Sequence, residues 1–239
     1  YSKAIEMNPK YAEAYYNRGV VYHNGKYYGW DNNFYDEAIE DFTKAIQLNP
    51  KDYRAYHNRG YTYNEKKLYD KAIEDYTKAI QINSKAAALY ILRAYAYEKK
   101  GSFDKAIEDF TKAIQINPQD ATAYHTRGFA YYRKGLYDEA IEDLTKALQI
   151  NPKGYKTLLT LTYNKRGEDY IQKGLYDKAI ENCTQAIKIN LKDEWAYYNR
   201  GLTYYKKGLS NKAISDWKKA ADLGSEVARQ NLKEFFNID

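Results

Sequence analysis

The feature that most constrains this chain is an internal period. Counted along one recurrent arginine (Arg18, Arg59, Arg93, Arg127, Arg166 and Arg200), the gaps are 41, 34, 34, 39 and 34 residues. A recurrent alanine (Ala4, Ala45, Ala79, Ala113, Ala147, Ala186 and Ala220) gives 41, 34, 34, 34, 39 and 34. A 34-residue unit therefore occurs six times over about residues 12–227, with insertions of seven and five residues. A unit of that size cannot bury its own apolar face, so the chain is committed to stacking copies of one supersecondary element.

Within each unit the apolar spacing is helical. In the fourth, Tyr124, Arg127, Gly128 and Tyr131 share one face, Gly135 interrupts, and Ala140, Leu144 and Ala147 form a second stripe. Asn151-Pro152 then ends the second helix. Small residues at Gly128, Ala140 and Ala147 beside Tyr124, Tyr131 and Leu144 allow the close approach that an antiparallel helix pair needs. Composition agrees. Thirteen Gly and four Pro are too few for a many-turned β protein, and no apolar run approaches the ~20 residues of a membrane span. Tyrosine is unusually abundant, at 29 of 239 residues, so much of the buried surface comes from rings that also carry a hydroxyl.

The sequence resembles the tetratricopeptide repeat family over essentially its whole length. The residues that carry the resemblance are Tyr90, Ala94, Tyr97, Ala106, Phe110, Ala113 and Pro118 in the third unit. In the fourth they are Tyr124, Gly128, Tyr131, Ala140, Leu144, Ala147 and Pro152. The resemblance implies an all-α fold, a right-handed superhelical solenoid of tandem antiparallel helix pairs. Its concave groove, lined by the first helix of each pair, would hold a partner's peptide or helix. The Ala, aromatic, Ala, Pro pattern favours this family over pentatricopeptide RNA-reading arrays of similar period. The chain is read as a single solenoid with a partial repeat at 1–11 and full repeats at 12–52, 53–86, 87–120, 121–159, 160–193 and 194–227. A capping helix at 228–239, beginning from about Ser225, is expected to cover the last pair with Val227, Leu232 and Phe235.

The recurrent arginine lies beside the buried stripe, where a guanidinium needs a partner. Each second helix carries an acid three residues after its first Ala: Asp41, Asp75, Asp109, Asp143 and Asp216, with Asn182 the exception. Bidentate Arg–Asp pairs tying the two helices of each unit are the expectation, with a ladder that binds an anionic ligand as the alternative.

Residues two before and two after each Arg, and those five away, fall on a separate stripe about 115° from the buried one. It holds Tyr16, Val20, His57, Tyr61, Ile91, Tyr95, His125, Phe129, Asn164, Glu168, Tyr198 and Leu202. His23, Arg54, Asn64, Glu98, Tyr132, Trp195 and Tyr205 lie at its outer positions. Tyr16, Arg54, His57, Tyr61, Ile91, Tyr95, His125, Phe129, Tyr132 and Tyr198 are the candidate peptide-binding residues; the competing reading packs the same rings sideways between units. All three histidines lie on this stripe, but His57 and His125 are two units apart, too far to share a metal ion. Cys183 takes the place of Tyr76, Phe110 and Leu144 and is expected to be a core thiol. Some family members grip a chaperone's terminal carboxylate with Lys, Asn and Arg. Asn17, Asn58 and Asn199 match one member of that set, but the lysine two before each Arg is missing, so the clamp is incomplete.

The seven-residue insertion, within Gly25–Phe34, carries Tyr27, Tyr28 and Trp30 as candidate loop contacts, either for a partner or packed back on the chain. The five-residue insertion, near Gly154 to Leu159, either lengthens the next helix or wedges two units apart; Leu158, Leu159 and Leu161 favour a longer helix.

No nucleophile–base constellation and no Gly-rich phosphate loop is visible, so no enzyme, no cofactor and no metal site are expected. The +6 charge, 38 basic against 32 acidic residues, is spread without a basic block, so neither nucleic acid nor membrane insertion is expected. One cysteine fits a reducing compartment, and a cytoplasmic location is the expectation. The chain opens on Tyr1 rather than Met, which predicts a missing upstream segment. The function read from the sequence is a non-catalytic scaffold binding a protein or peptide partner. Two alternatives stand beside it: the recruiting arm of a larger enzyme, and a self-assembling scaffold that associates with copies of itself.

Overall fold

A computed structural model describes residues 1–25 and 34–238. Those residues form fourteen helices and no strand. A short α1 (Ser2–Met7) precedes the pairs α2 (Ala12–His23) with α3 (Tyr35–Leu48), α4 (Tyr53–Glu65) with α5 (Tyr69–Ile82), and α6 (Ala87–Lys99) with α7 (Phe103–Ile116). Then come α8 (Ala121–Arg133) with α9 (Tyr137–Ile150), α10 (Lys156–Gln172) with α11 (Tyr176–Ile189), and α12 (Glu194–Lys206) with α13 (Ser210–Asp222); α14 (Glu226–Phe236) closes the chain. The helices group into two compact units, Tyr1–Ala123 and Tyr124–Asp239. Within the first, α2, α4 and α6 lie side by side as well as against their own second helices, and in the second α10 meets α12 in the same way. Among the described residues no helix is long and apolar enough to cross a membrane.

The helix ends follow from local chemistry. Asp52, Asp193 and Ser225 cap α4, α12 and α14 by accepting backbone N–H groups near the helix start. The turns after α6, α8, α10 and α12 place Gly101, Gly135, Gly174 and Gly208 at φ of 72 to 76°, where a side chain is strained, and Lys67 takes the same place after α4 at φ 60°.

The core repeats with the sequence. Each second helix buries an Ala, a large residue and another Ala: Ala38, Phe42 and Ala45; Ala72, Tyr76 and Ala79; Ala106, Phe110 and Ala113; Ala140, Leu144 and Ala147; Ala179, Cys183 and Ala186; Ala213, Trp217 and Ala220. The central residue packs onto the first helix of its pair where that helix carries Gly in five pairs and Ala94 in α6. A Cβ on Gly19 would lie 2.8 Å from Phe42, on Gly128 2.9 Å from Leu144, and on Gly201 2.6 Å from Trp217. Cys183 is the core thiol expected, and burial pushes it up to about 12, far from a reactive thiolate. Tyr76 is the exception in its series, because its hydroxyl is buried with no partner among the described residues. Phe stands at this place in α3 and α7, so Tyr76→Phe is expected to stabilise the chain by about 1–2 kcal/mol, read from the urea midpoint. A loss of stability would show that the hydroxyl has a partner.

The arginine ladder ties the two helices of each pair. Arg18, Arg59, Arg93, Arg127 and Arg200 donate from Nε and Nη2 to the two oxygens of Asp41, Asp75, Asp109, Asp143 and Asp216, all at 2.7–2.8 Å. Burial pushes Asp75 and Asp143 above the usual carboxylate range while the guanidinium beside each works against it, so the pairs hold charge at a desolvation cost. Arg166 meets Asn182 instead, through Nε at 2.8 Å.

The five-residue insertion lengthens a helix: α10 has 17 residues against 13 in α4, α6 and α12, and Leu159 on the added length is buried. At the C-terminus one expectation is corrected. Leu232 is buried against Trp217, but Val227 points out of the interface at 46% exposure, because the buried side of α14 runs through Ala228 and Leu232. Phe235 lies between these outcomes, 43% exposed with its ring 4.8 Å from that of Tyr205. Tyr27, Tyr28 and Trp30 lie outside the described residues.

Candidate functional site

In the first unit, α2, α4 and α6 bring Tyr16, Arg54, His57, Tyr61, Ile91 and Tyr95 onto one surface. Several are already engaged there. The Tyr16 hydroxyl accepts from Asn58 Nδ2 at 2.9 Å, and the Arg54 guanidinium lies 4.8 Å over its ring. Arg54 is itself held by Asp52 at 2.7 Å and by Glu13 of the neighbouring first helix at 2.9 Å, and these bonds raise its pKa further. The sequence reading did not pick out Glu13 and Asp52 as the partners that hold Arg54.

Further along this surface, His23 Nδ1 is 2.9 Å from Thr62 Oγ1 and its ring is 5.1 Å from Tyr61. Tyr61 keeps 38% of its surface exposed. Tyr95 stands edge-on to Phe110 at 5.6 Å, and His57 and Ile91 are half-buried. Burial lowers His23 and His57, and His125 in the second unit, below the ordinary histidine value, so the three rings are neutral at pH 7.

In the second unit, α8 presents His125, Phe129 and Tyr132. The His125 ring lies 4.5 Å from that of Tyr155, and Phe129 sits 6.5 Å from Tyr132 and 5.8 Å beneath the Arg133 guanidinium. On α12, Tyr198 is stacked between Trp195 at 5.3 Å and Trp217 at 6.5 Å. Sideways packing between pairs thus accounts for Tyr16 and His23, whereas Tyr198 is held by Trp195 of its own helix and Trp217 of its own pair. Tyr61, Trp195 and Tyr205 remain open at 37–43%.

A feature not foreseen lies between α10 and α12. A cavity of about 580 Å³ is bordered by Thr157, Thr160, Leu161, Asn164, Asp193 and Trp195, among others. Asn164 is buried; its Nδ2 donates to Asp193 at 2.9 Å, and its Oδ1 has no partner among the described residues. Leu161 and Trp195 at the rim are 40% and 43% exposed. The signal that could have found it is the five-residue insertion, since Thr157, Thr160 and Leu161 lie on the first turns of lengthened α10. Among the described residues no group of three metal-binding side chains occurs.

A family model described as TPR repeat matches residues 1–25, 31–67, 99–135 and 167–208, and two described as Tetratricopeptide repeat match 53–85 with 121–153, and 196–223. The fold is similar to that of the C-terminal part of a TPR repeat-containing protein from Cytophaga hutchinsonii, with a TM-score of 0.72, 20% identity and coverage of 97% of this chain and 92% of that one. It is also similar to YrrB, described as a TPR protein with an unusual peptide-binding site, at TM-score 0.55 and 20% identity over 98% and 97% of the two chains. MamA gives 0.54 and 21% over 95% and 96%. No protein of curated function matches the sequence.

Proposed function

The chain belongs to the tetratricopeptide repeat family, and we propose that it is a non-catalytic scaffold that binds a partner peptide or helix along the exposed face of its first helices. The carrying observation is the cavity between α10 and α12, where an unpartnered, buried amide oxygen lines a recess with two exposed apolar side chains at its rim. A folded chain leaves such an acceptor unsatisfied at a cost, which a donor arriving with a ligand removes. Tyr61 in the first unit offers a second anchor on the equivalent face, beside neutral histidines that both donate and accept.

The test separates binding from folding. Peptides selected from a random library against the whole chain are measured against Trp195→Ala combined with Leu161→Ala, and against Tyr61→Ala. Binding is expected to weaken by at least about 2 kcal/mol in at least one variant, with the unfolding midpoint nearly unchanged, because exposed groups contribute less to folding than to recognition. Peptides that bind all variants equally would refute this reading.

A further inference from the structure

Arg166 is the one rung of the ladder stripped of its usual partners. In the other five, Nε and Nη2 together hold a carboxylate. Here Asn182 offers one neutral oxygen to Nε at 2.8 Å and turns its own Nδ2 to Lys178 O at 2.7 Å. Arg59, Arg93 and Arg200 also donate from Nη1 to a threonine sixteen residues earlier, Thr43, Thr77 or Thr184. The five-residue insertion separates Arg166 from the corresponding Thr145, and no hydrogen bond joins them. Nη1 instead reaches Asp138, a side chain 75% exposed and therefore a weak, screened partner. Nη2 has no hydrogen-bond partner among the described residues.

Arg166 and Asn182 line a cleft of about 180 Å³ with Tyr170, Lys178, Glu181 and Gln185. That is ample beside the roughly 10–15 Å³ that one water needs. The Lys178 ammonium lies 5.6 Å over the Tyr170 ring, which keeps a second cation at the cleft; Glu181 is the one acid lining it. None of its lining residues borders the cavity between α10 and α12.

We propose that this cleft is a carboxylate-binding site, in which an external carboxylate takes the place beside Arg166 that Asp fills in the other five rungs. The carboxylate comes from an Asp or Glu side chain of a partner or from a small free acid; both present the two-oxygen group that a guanidinium fork matches. Asp138 competes for the same guanidinium, so its removal strengthens the site.

The test follows the Arg166 Nε–Hε resonance in the ¹⁵N-arginine-labelled chain, with Arg93 as internal control. Sodium acetate, a blocked Gly-Glu-Gly peptide and its Gln counterpart are titrated at constant ionic strength. Acetate is expected to shift Arg166 saturably, with a dissociation constant on the order of 10 mM, the weak range of a single charge-assisted contact open to water. Arg93 stays still, and the Gln peptide has no effect. Asn182→Asp, which rebuilds the pairing seen in five other units and so is expected to fold, abolishes the response; Asp138→Asn strengthens it several-fold. A Glu peptide that binds more tightly than acetate assigns the carboxylate to a partner's side chain, and equal binding assigns it to a free acid. An unresponsive Arg166, or an Asn182→Asp variant that responds like the parent, overturns the proposal.

Discussion

Arg93→Ala is expected to destabilise the first unit by about 3–5 kcal/mol, because it leaves Asp109 buried at 7% side-chain exposure without its guanidinium. Arg166→Ala removes a bond to a neutral amide and a screened surface pair, and is expected to cost about 1 kcal/mol. The ranking is the content of the prediction. Urea midpoints measure it, and hydrogen exchange of the α6 and α7 amides places the loss where the pair was. Equal losses in the two variants would mean that the carboxylates do not depend on their arginines. Replacing Arg93 and Asp109 together by apolar residues should recover part of the loss, since most of it is the stranded charge.

Trp217→Ala is expected to cost a similar amount, about 3–5 kcal/mol, and to act locally. Trp217 is among the largest fully buried side chains; its Nε1 donates to Tyr198 O at 3.1 Å, and Ala228 and Leu232 of α14 share its cluster. α13 packs against α12 and α14, so the opening should spread through these three helices before it reaches earlier ones. Hydrogen exchange would show protection lost in those three helices first. Gly201→Ala attacks the same contact from the other side: its Cβ would sit 2.6 Å from Trp217 Cδ1, and the overlap should cost about 1–3 kcal/mol. Uniform loss of protection along the chain would contradict a nearest-neighbour stack.

The period made the helix pairs, the buried Ala-large-Ala triplets and the Arg–Asp ladder legible in the sequence, because each rests on spacing within one unit. The lengthened α10 was legible as well, since added leucines at helical spacing favour continuing a helix over opening a gap. Contacts between units were harder to read. Tyr16 carries a hydroxyl that Asn58 satisfies 42 residues later, and the His23 ring lies 5.1 Å from that of Tyr61 on the next pair, so rings that look free on a helical wheel are partly used in stacking. Val227 misled because the buried side of α14 runs through Ala228 and Leu232, and an apolar residue off that side stands in water at modest cost. The Asn164 cavity depends on where the insertion carries the first turns of α10 relative to α12. The bond from Arg166 to Asp138 depends in the same way on the shifted register, and neither follows from spacing alone.

The most direct test of the central claim is hydrogen exchange of the whole chain with and without a library-selected peptide. The account predicts new protection on the first helices, around Leu161 and Asn164 of α10 and Trp195 of α12, or around Tyr61 of α4, with α5, α7, α11 and α13 unchanged. Protection confined to the second helices, or bound peptide that leaves the first helices unaltered, would contradict it.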